Sequence, residues 1–493
     1  MRPKLRTVSG LNNIHDEDYL EASFSIYNWI LSNKIEGKEG IYFKVNPGSE
    51  EDYSTRAVHG KYGLYSGSAG IGIFFVRLYE ITEDKKYLDH AVSVLEELIE
   101  NVPGKEYYEH KLNTALQSDL KVTGWHTGIY SGPSGAGILA LTINEYIQDK
   151  RYIEFAIKLG KDIVEASTET SDGRYLTKDT DVFSDGGYVL YFISLYKVTK
   201  DSKYLDLARD YARYIYSTGK RAGTAGAEEI KNTNGPSNDS EKKNSSKADA
   251  GLEGTYYEAN DLSRVGLPKG SIFPGFSHGT AGIGYIFAVL YEYDKKDWEL
   301  ESARQAAAFL ESISLELGSG RVVPYLWGGE TGEDFKDKFY LGFCHGPAGT
   351  SLLFTKLFEV TEEQHYLDIT KELASGILEA GAPELNSWGL WNSYCTCCGT
   401  PGLIEYFEQL YEITADEKYL TAAKRAAARV IADSSEVDGG RCFFGHWDRT
   451  DHRNVQTYTG LYTGAAGPGA NLLRLYGLLK NKKVTPLWEY SYL

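Results

Sequence analysis

The chain has 493 residues, with 52 Lys and Arg against 69 Asp and Glu, and a formal net charge of -17 at pH 7. That balance, with no basic stripe to offset it, disfavours a nucleic-acid partner and is compatible with ordinary solubility. No run of about 20 apolar residues is present to span a membrane, and the first residues lack the order of a signal peptide, so no transmembrane segment and a cytoplasmic location are expected.

In chain order, Tyr19 to Ser32 reads as a first outer helix. Next comes a short glycine turn, Ser66-Gly67-Ser68-Ala69-Gly70. It recurs as Ser131-Gly132-Pro133-Ser134-Gly135, His278-Gly279-Thr280-Ala281-Gly282, the turn around Gly346, Cys398-Gly399-Thr400-Pro401-Gly402 and Thr463-Gly464-Ala465-Ala466-Gly467. Phe183-Ser184-Asp185-Gly186-Gly187 reads as a degraded copy. The intervals are mostly roughly 53 to 67 residues, the signature of a repeat. After each turn an apolar run predicts a buried helix, as in Ile71 to Tyr79, Ile283 to Tyr291 and Leu403 to Tyr411.

These runs end in a tag: Tyr79-Glu80-Ile81-Thr82, Tyr196-Lys197-Val198-Thr199, Phe358-Glu359-Val360-Thr361, Tyr411-Glu412-Ile413-Thr414. A polar turn follows, then a second tag such as Lys86-Tyr87-Leu88, Lys203-Tyr204-Leu205 or Lys418-Tyr419-Leu420. That tag opens an amphipathic helix. In the last copy Leu420, Ala423, Ala427 and Val430 recur at helical spacing with Lys and Arg between them. One segment breaks the rhythm: residues 223–251 are rich in Lys, Glu, Asn, Ser and Gly, and are expected to form a flexible polar insertion. It reads as a tolerated surface loop or, alternatively, as a lid over a site.

Seven apolar and seven amphipathic helices predict an all-α fold, an (α/α)7 double barrel or toroid with seven inner and seven outer helices, in one domain over 1–493. In such a ring the glycine turns gather at one end. There the inner helices direct their N-terminal dipoles into a shared mouth.

Four of the five cysteines fall in two of these turns: Cys344, and Cys395, Cys397 and Cys398. An odd, clustered set fits a reducing compartment better than a disulfide framework. Buried thiols are one reading. The other is a metal site formed by Cys344, Cys397 and Cys398, because thiolates are soft ligands suited to zinc and three of them leave a position open. The residues just before the first glycine of three turns, namely His278, Cys344, His345, Cys397 and Cys398, favour the second reading. Cys395 and Cys442 read as incidental thiols, and Trp125, His126 and His446 as packed side chains.

Ser277-His278-Gly279-Thr280-Ala281-Gly282, Phe343-Cys344-His345-Gly346-Pro347-Ala348-Gly349 and Cys397-Cys398-Gly399-Thr400-Pro401-Gly402 together resemble the motifs of the lanthionine synthetase C-like (LanC-like) family. The resemblance covers nearly the whole chain. It implies an α,α-barrel and a zinc-dependent lanthipeptide cyclase, which adds peptide Cys thiols to dehydroalanine or dehydrobutyrine to form (methyl)lanthionine rings. It also implies one Zn²⁺ per chain on Cys344, Cys397 and Cys398, the Cys-Cys-Gly variant of a motif that is more often Cys-His-Gly. By the same resemblance His278 is the acid that protonates the enolate, Asp181 assists thiol deprotonation, and His345 is a hydrogen-bonding neighbour or alternative acid. Tyr340 stands where some cyclases carry Arg, with Lys336 and Lys338 nearby but unmatched. The implied partners are a dehydrated ribosomal precursor peptide and a separate dehydratase. Two alternatives stay open: addition of glutathione or another small thiol to dehydrated residues, and a non-catalytic peptide- or thiol-binding scaffold with structural zinc. A glycoside-processing toroid is disfavoured, because the repeated slot holds Cys and His rather than paired carboxylates.

Overall fold

Each repeat folds as a helix pair whose boundaries its two tags specify. In the first, Thr82 Oγ1 donates to Leu78 O at 2.7 Å and accepts from Asp84 N at 3.2 Å, while Glu83 turns left-handed with φ of 60°. Asp84 then accepts from Lys86 N at 3.1 Å and so caps the next helix. The same sequence of bonds recurs at Thr199 and Asp201 and at Thr414 and Asp416. The lysine of the second tag lies over the ring of the tyrosine that follows it, at 4.6 Å for Lys86 and Tyr87 and 4.7 Å for Lys418 and Tyr419.

The computed structural model describes residues 14–48, 61–117, 127–223, 252–258, 267–329, 337–385, 394–445 and 455–492. Its inner helices are Ser68–Thr82, Ser134–Ile147, Asp185–Thr199, Thr280–Asp294, Pro347–Thr361, Pro401–Thr414 and Ala466–Leu479. They are buried on every side over most of their length, as a core helix must be. The outer helices are Asp16–Ser32, Lys85–Asn101, Lys150–Ala166, Ser202–Ser217, Asp297–Ile313, Gln364–Glu379 and Glu417–Asp433. These bury a single stripe, for instance Tyr419, Leu420, Ala423, Ala427 and Val430.

Six outer helices pack on the inner helix that precedes them in the chain. The remaining one, Asp16–Ser32, packs on the last inner helix, Ala466–Leu479, which also touches the first, Ser68–Thr82. The two ends of the chain thereby close the expected toroid.

Three features add to the all-helical expectation. A further helix, Lys105–Gln117, stands outside the seven pairs. Short antiparallel hairpins follow several outer helices, among them Thr168–Thr170 with Gly173–Tyr175, Leu315–Leu317 with Gly320–Val322 and Ser435–Val437 with Gly440–Cys442. A glycine lets the second of these lie on the next outer helix, since a Cβ at Gly320 would sit 2.2 Å from the Gly376 nitrogen. The third feature is the buried stretch from Val484 to Tyr492. Lys482 binds Ile81 O at 2.6 Å, at the C-terminal end of the first inner helix, and Leu487 and Trp488 share a small void with Phe343, Thr396 and Tyr462 on the mouth side. The C-terminal segment thus enters the barrel from the end opposite the glycine turns and floors the mouth.

Candidate metal centre at the barrel mouth

Neighbouring glycine turns are tied to one another by backbone hydrogen bonds from the residue two before the first glycine. Ser277 N donates to Cys344 O at 2.9 Å, Cys344 N to Cys397 O at 3.0 Å, and Cys397 N to Tyr462 O at 3.1 Å. Tyr462 N donates to Tyr65 O at 2.9 Å and Tyr65 N to Tyr130 O at 2.7 Å. This chain of bonds sets equivalent positions of the repeats side by side around the mouth. Two of them carry cysteines.

The remaining aromatic occupants were not singled out in the sequence, although the repeat register contains the signal. Tyr65, Tyr130, Phe183 and Tyr462 pack together, with Tyr130 stacked on Phe183 at 4.4 Å and Tyr65 stacked on Tyr462 at 5.7 Å between centroids. They form an apolar wall beside the cysteines that limits water around the sulfurs.

Cys344, Cys397 and Cys398 are all buried, and their sulfurs lie within 4.8 Å of one another. The Cys344 and Cys398 sulfurs are 3.4 Å apart. Tetrahedral zinc with bonds of about 2.3 Å places its sulfur ligands about 3.8 Å apart, so the trio has the spacing and the soft donor chemistry that zinc requires. The charge pattern agrees. Hydrogen bonds from Cys397 and then Cys398 hold the Cys344 thiol well below its ordinary range, with His345 and His278 adding to the effect. Burial pushes Cys397 up, and the hydrogen bond to Cys344 does the same for Cys398. One thiolate is therefore easily held, whereas three require a cation among them.

Beside the sulfurs, His278 Nδ1 lies 3.0 Å from Asp181 Oδ2. Asp181 is fully buried and also accepts from Phe183 N at 3.0 Å. In this third repeat Ser184 stands at the first glycine position, and Asp185 opens the inner helix where Ser68 and Thr280 do so in other repeats. Its carboxylate accepts from Leu176 N, Thr177 N, Thr177 Oγ1 and Lys178 N, which fixes the loop bearing Asp181. His345 lies among aromatic rings, 4.4 Å from Phe273, 5.2 Å from Tyr325 and 5.8 Å from His278 between centroids. Tyr340 belongs to the same wall and meets Tyr325 edge-on at 4.5 Å. Lys338 contributes a backbone carbonyl that accepts from Tyr325 N at 2.7 Å.

Cys395 also lies in this cluster: Cys398 N donates to its sulfur at 3.4 Å. Cys442 is elsewhere, in the Gly440–Cys442 strand, where burial pushes its thiol up to about 11. Trp125, His126, Lys336, His446 and residues 224–251 of the expected insertion lie outside the described residues.

The fold and site define a closed helical double barrel with a three-thiol, histidine-flanked pocket at its glycine-turn end. A family model described as "Lanthionine synthetase C-like protein" matches residues 58–485, and the chain belongs to this LanC-like family. A solved structure titled "Nisin cyclase" superimposes with a TM-score of 0.58 at 14% identity, covering 97% of this chain and 98% of that one. The GH76A α-1,6-mannanase of Salegentibacter sp. HEL1_6 aligns at 14% identity over 94% of this chain and 99% of its own, with a TM-score of 0.44. Cellobiose 2-epimerase from Bacillus thermoamylovorans B4167 aligns at 13% identity over 94% and 99%, with a TM-score of 0.42. Among the described residues no helix is long and apolar enough to cross a membrane.

Proposed function

We propose that this protein is a zinc-dependent cyclase that adds Cys thiols of a dehydrated ribosomal peptide to dehydroalanine or dehydrobutyrine, forming (methyl)lanthionine rings. The observation that carries this reading is the convergence of the Cys344, Cys397 and Cys398 sulfurs within 4.8 Å beside the His278–Asp181 pair. Zinc held on these three residues would supply Lewis-acid activation of an incoming thiol as its thiolate.

The remaining steps belong to the chain's own residues. Addition of sulfur to the β-carbon leaves an enolate that must gain a proton at its α-carbon. His278 is the donor. Its Nδ1 is engaged by the Asp181 carboxylate, which accepts and cannot donate, so that nitrogen carries the hydrogen and Nε2 exchanges the catalytic proton. Asp181 acts through His278 by fixing its tautomer and orientation. His345 and the Phe273–Tyr325–Tyr340 wall border the reacting centre, where His345 is a second candidate acid. The reading includes a separate dehydratase that supplies the substrate, a single barrel domain over 1–493 with 223–251 as a polar insertion, and a cytoplasmic location.

The test is incubation of one dehydrated, Cys-containing peptide with zinc-loaded protein, with and without glutathione. Ring closure without mass gain, read as loss of alkylatable thiol, is expected. A glutathione-mass adduct in place of rings would make the protein a small-thiol ligase, and no change of the peptide in either arm would reduce it to a binding scaffold.

A further inference from the structure

The sulfur cluster contains one more thiol than a three-ligand site uses. Cys395 and Cys398 are the ends of a Cys-x-x-Cys sequence, Cys395-Thr396-Cys397-Cys398. They are wound into one helical turn by Gly399 N donating to Cys395 O at 2.9 Å. Within it Cys398 N points at the Cys395 sulfur, 3.4 Å away. Residues three apart on such a turn hold their Cβ atoms about 5–6 Å apart. A disulfide needs about 3.5–4.5 Å, so closure takes side-chain rotation and a small contraction of the turn. The cluster also sorts its members: Cys344, Cys397 and Cys398 converge on one point, whereas Cys395 falls outside that group.

We propose that Cys395 and Cys398 form a redox-active dithiol whose oxidation to a disulfide withdraws Cys398 from the metal-binding trio. This rests on the proposed zinc site, and it makes the same site sensitive to peroxide. With the trio committed to a metal, Cys395 is the cluster's fourth thiol, held against Cys398 by the bond from Cys398 N. Its sulfur attacks one oxygen of hydrogen peroxide and breaks the O–O bond, giving a sulfenic acid and water. The Cys398 sulfur then attacks the sulfenic sulfur, the S–S bond forms, and the hydroxyl leaves with a proton as a second water. Two electrons pass from the two sulfurs to the peroxide; the Cys395 thiol proton ends in the first water, and the second water takes its proton from solvent, because Cys398 leaves the metal as a thiolate. The remaining Cys344 and Cys397 hold the metal far more weakly. A small dithiol reductant reverses the step by exchange, restoring both thiols.

The experiment uses the full zinc-loaded chain, treated with one equivalent of hydrogen peroxide in the presence of a chromogenic zinc chelator. Mass spectrometry of proteolytic peptides is run in parallel. Expected are a two-dalton loss mapped to a Cys395–Cys398 link, release of the zinc in step with it, and recovery of both thiols and zinc binding after dithiothreitol. Cys395→Ser should keep the zinc and slow peroxide-driven release at least tenfold, and Cys442→Ser should behave as wild type. A link mapped to Cys344, or release unchanged in Cys395→Ser, overturns the proposal. X-ray absorption showing four sulfurs around the resting zinc overturns it as well, because Cys395 would then be a ligand. Zinc that binds and activates the cyclase with no Cys395–Cys398 link leaves the zinc reading intact and removes only this inference. A chain that binds no zinc removes both the zinc reading and its redox control.

Discussion

The Nδ1 of His278 meets the Oδ2 of Asp181 at 3.0 Å, joining the fourth and third repeats at the mouth. A buried carboxylate that touches imidazole orients it, and the two should therefore fail differently. His278→Ala removes the proton donor, with an expected loss of about 10²–10⁴-fold in cyclisation rate and undiminished zinc. Asp181→Asn keeps the shape but offers an amide that stabilises the wrong tautomer; a smaller loss in kcat than that of His278→Ala is expected, with KM little changed. Single-turnover cyclisation followed by mass spectrometry, with zinc content measured on the same samples, checks both. Loss of zinc in either variant would place the pair in metal binding instead.

The three sulfurs make a joint prediction. Cys344→Ala, Cys397→Ala and Cys398→Ala should each abolish stoichiometric zinc, about one ion per chain in the wild type, because two thiolates cannot complete the site. Cys398→His tests the commoner family arrangement, since an imidazole is also a zinc ligand; retained zinc with a slower rate is the expected result. Atomic absorption on protein purified without chelator, paired with far-ultraviolet circular dichroism, distinguishes a lost ligand from a lost fold.

Four outer helices begin on Asp84, Asp149, Asp201 and Asp416, each of which accepts from a backbone N–H two residues on. The lysine or arginine at that position and the backbone bond hold all four carboxyls below their usual range. A folded-state pKa below the unfolded one gives stability that is present above about pH 4 and is lost as pH falls through the folded value. The urea midpoint should therefore drop between pH 5 and pH 3. Replacing all four with Asn, which also caps helices but does not titrate, should flatten that drop. An identical slope in the quadruple variant would assign acid sensitivity to other groups.

What the sequence revealed and what it hid have physical reasons. The glycine turns and the two tags are local devices, fixed by backbone geometry and by hydrogen bonds between residues two to four apart, so they repeat legibly and specify the toroid. Cys344, Cys397 and Cys398 occupy the repeat slots and could be read together. Asp181 was harder to place because Ser184 stands where the other turns have their first glycine, and the carboxylate of Asp185 beside it gathers four donors that reorganise the turn. The hairpins are strands of two or three residues, too short for an alternating pattern. The aromatic wall of Tyr65, Tyr130, Phe183 and Tyr462 has meaning only once the ring is closed. The floor from Val484 to Tyr492 likewise depends on closure, since its apolar residues find their partners inside a barrel built by the rest of the chain.

That floor is anchored by a buried ion pair, which gives the most demanding prediction for stability. Arg77 Nη1 lies 2.6 Å from Glu405 Oε1, with side-chain exposures of 0% and 3%. Arg77 also donates to the carbonyls of Ala470 and Thr485, and Glu405 Oε2 accepts from Leu487 N at 2.9 Å. Arg77→Met leaves a carboxylate buried without its counter-charge and should cost about 3–5 kcal/mol, whereas Arg77→Met with Glu405→Leu should recover much of that loss. Deleting residues from Thr485 onward removes the Thr485 carbonyl and the Leu487 N–H from the pair and uncovers the void beneath Phe343 and Thr396, next to the cysteine turns. The truncated chain should therefore unfold at lower urea and release zinc to a chelator faster than the full chain. If truncation lowered the urea midpoint without changing zinc release, the C-terminal segment would support the barrel alone and not the floor of the metal centre.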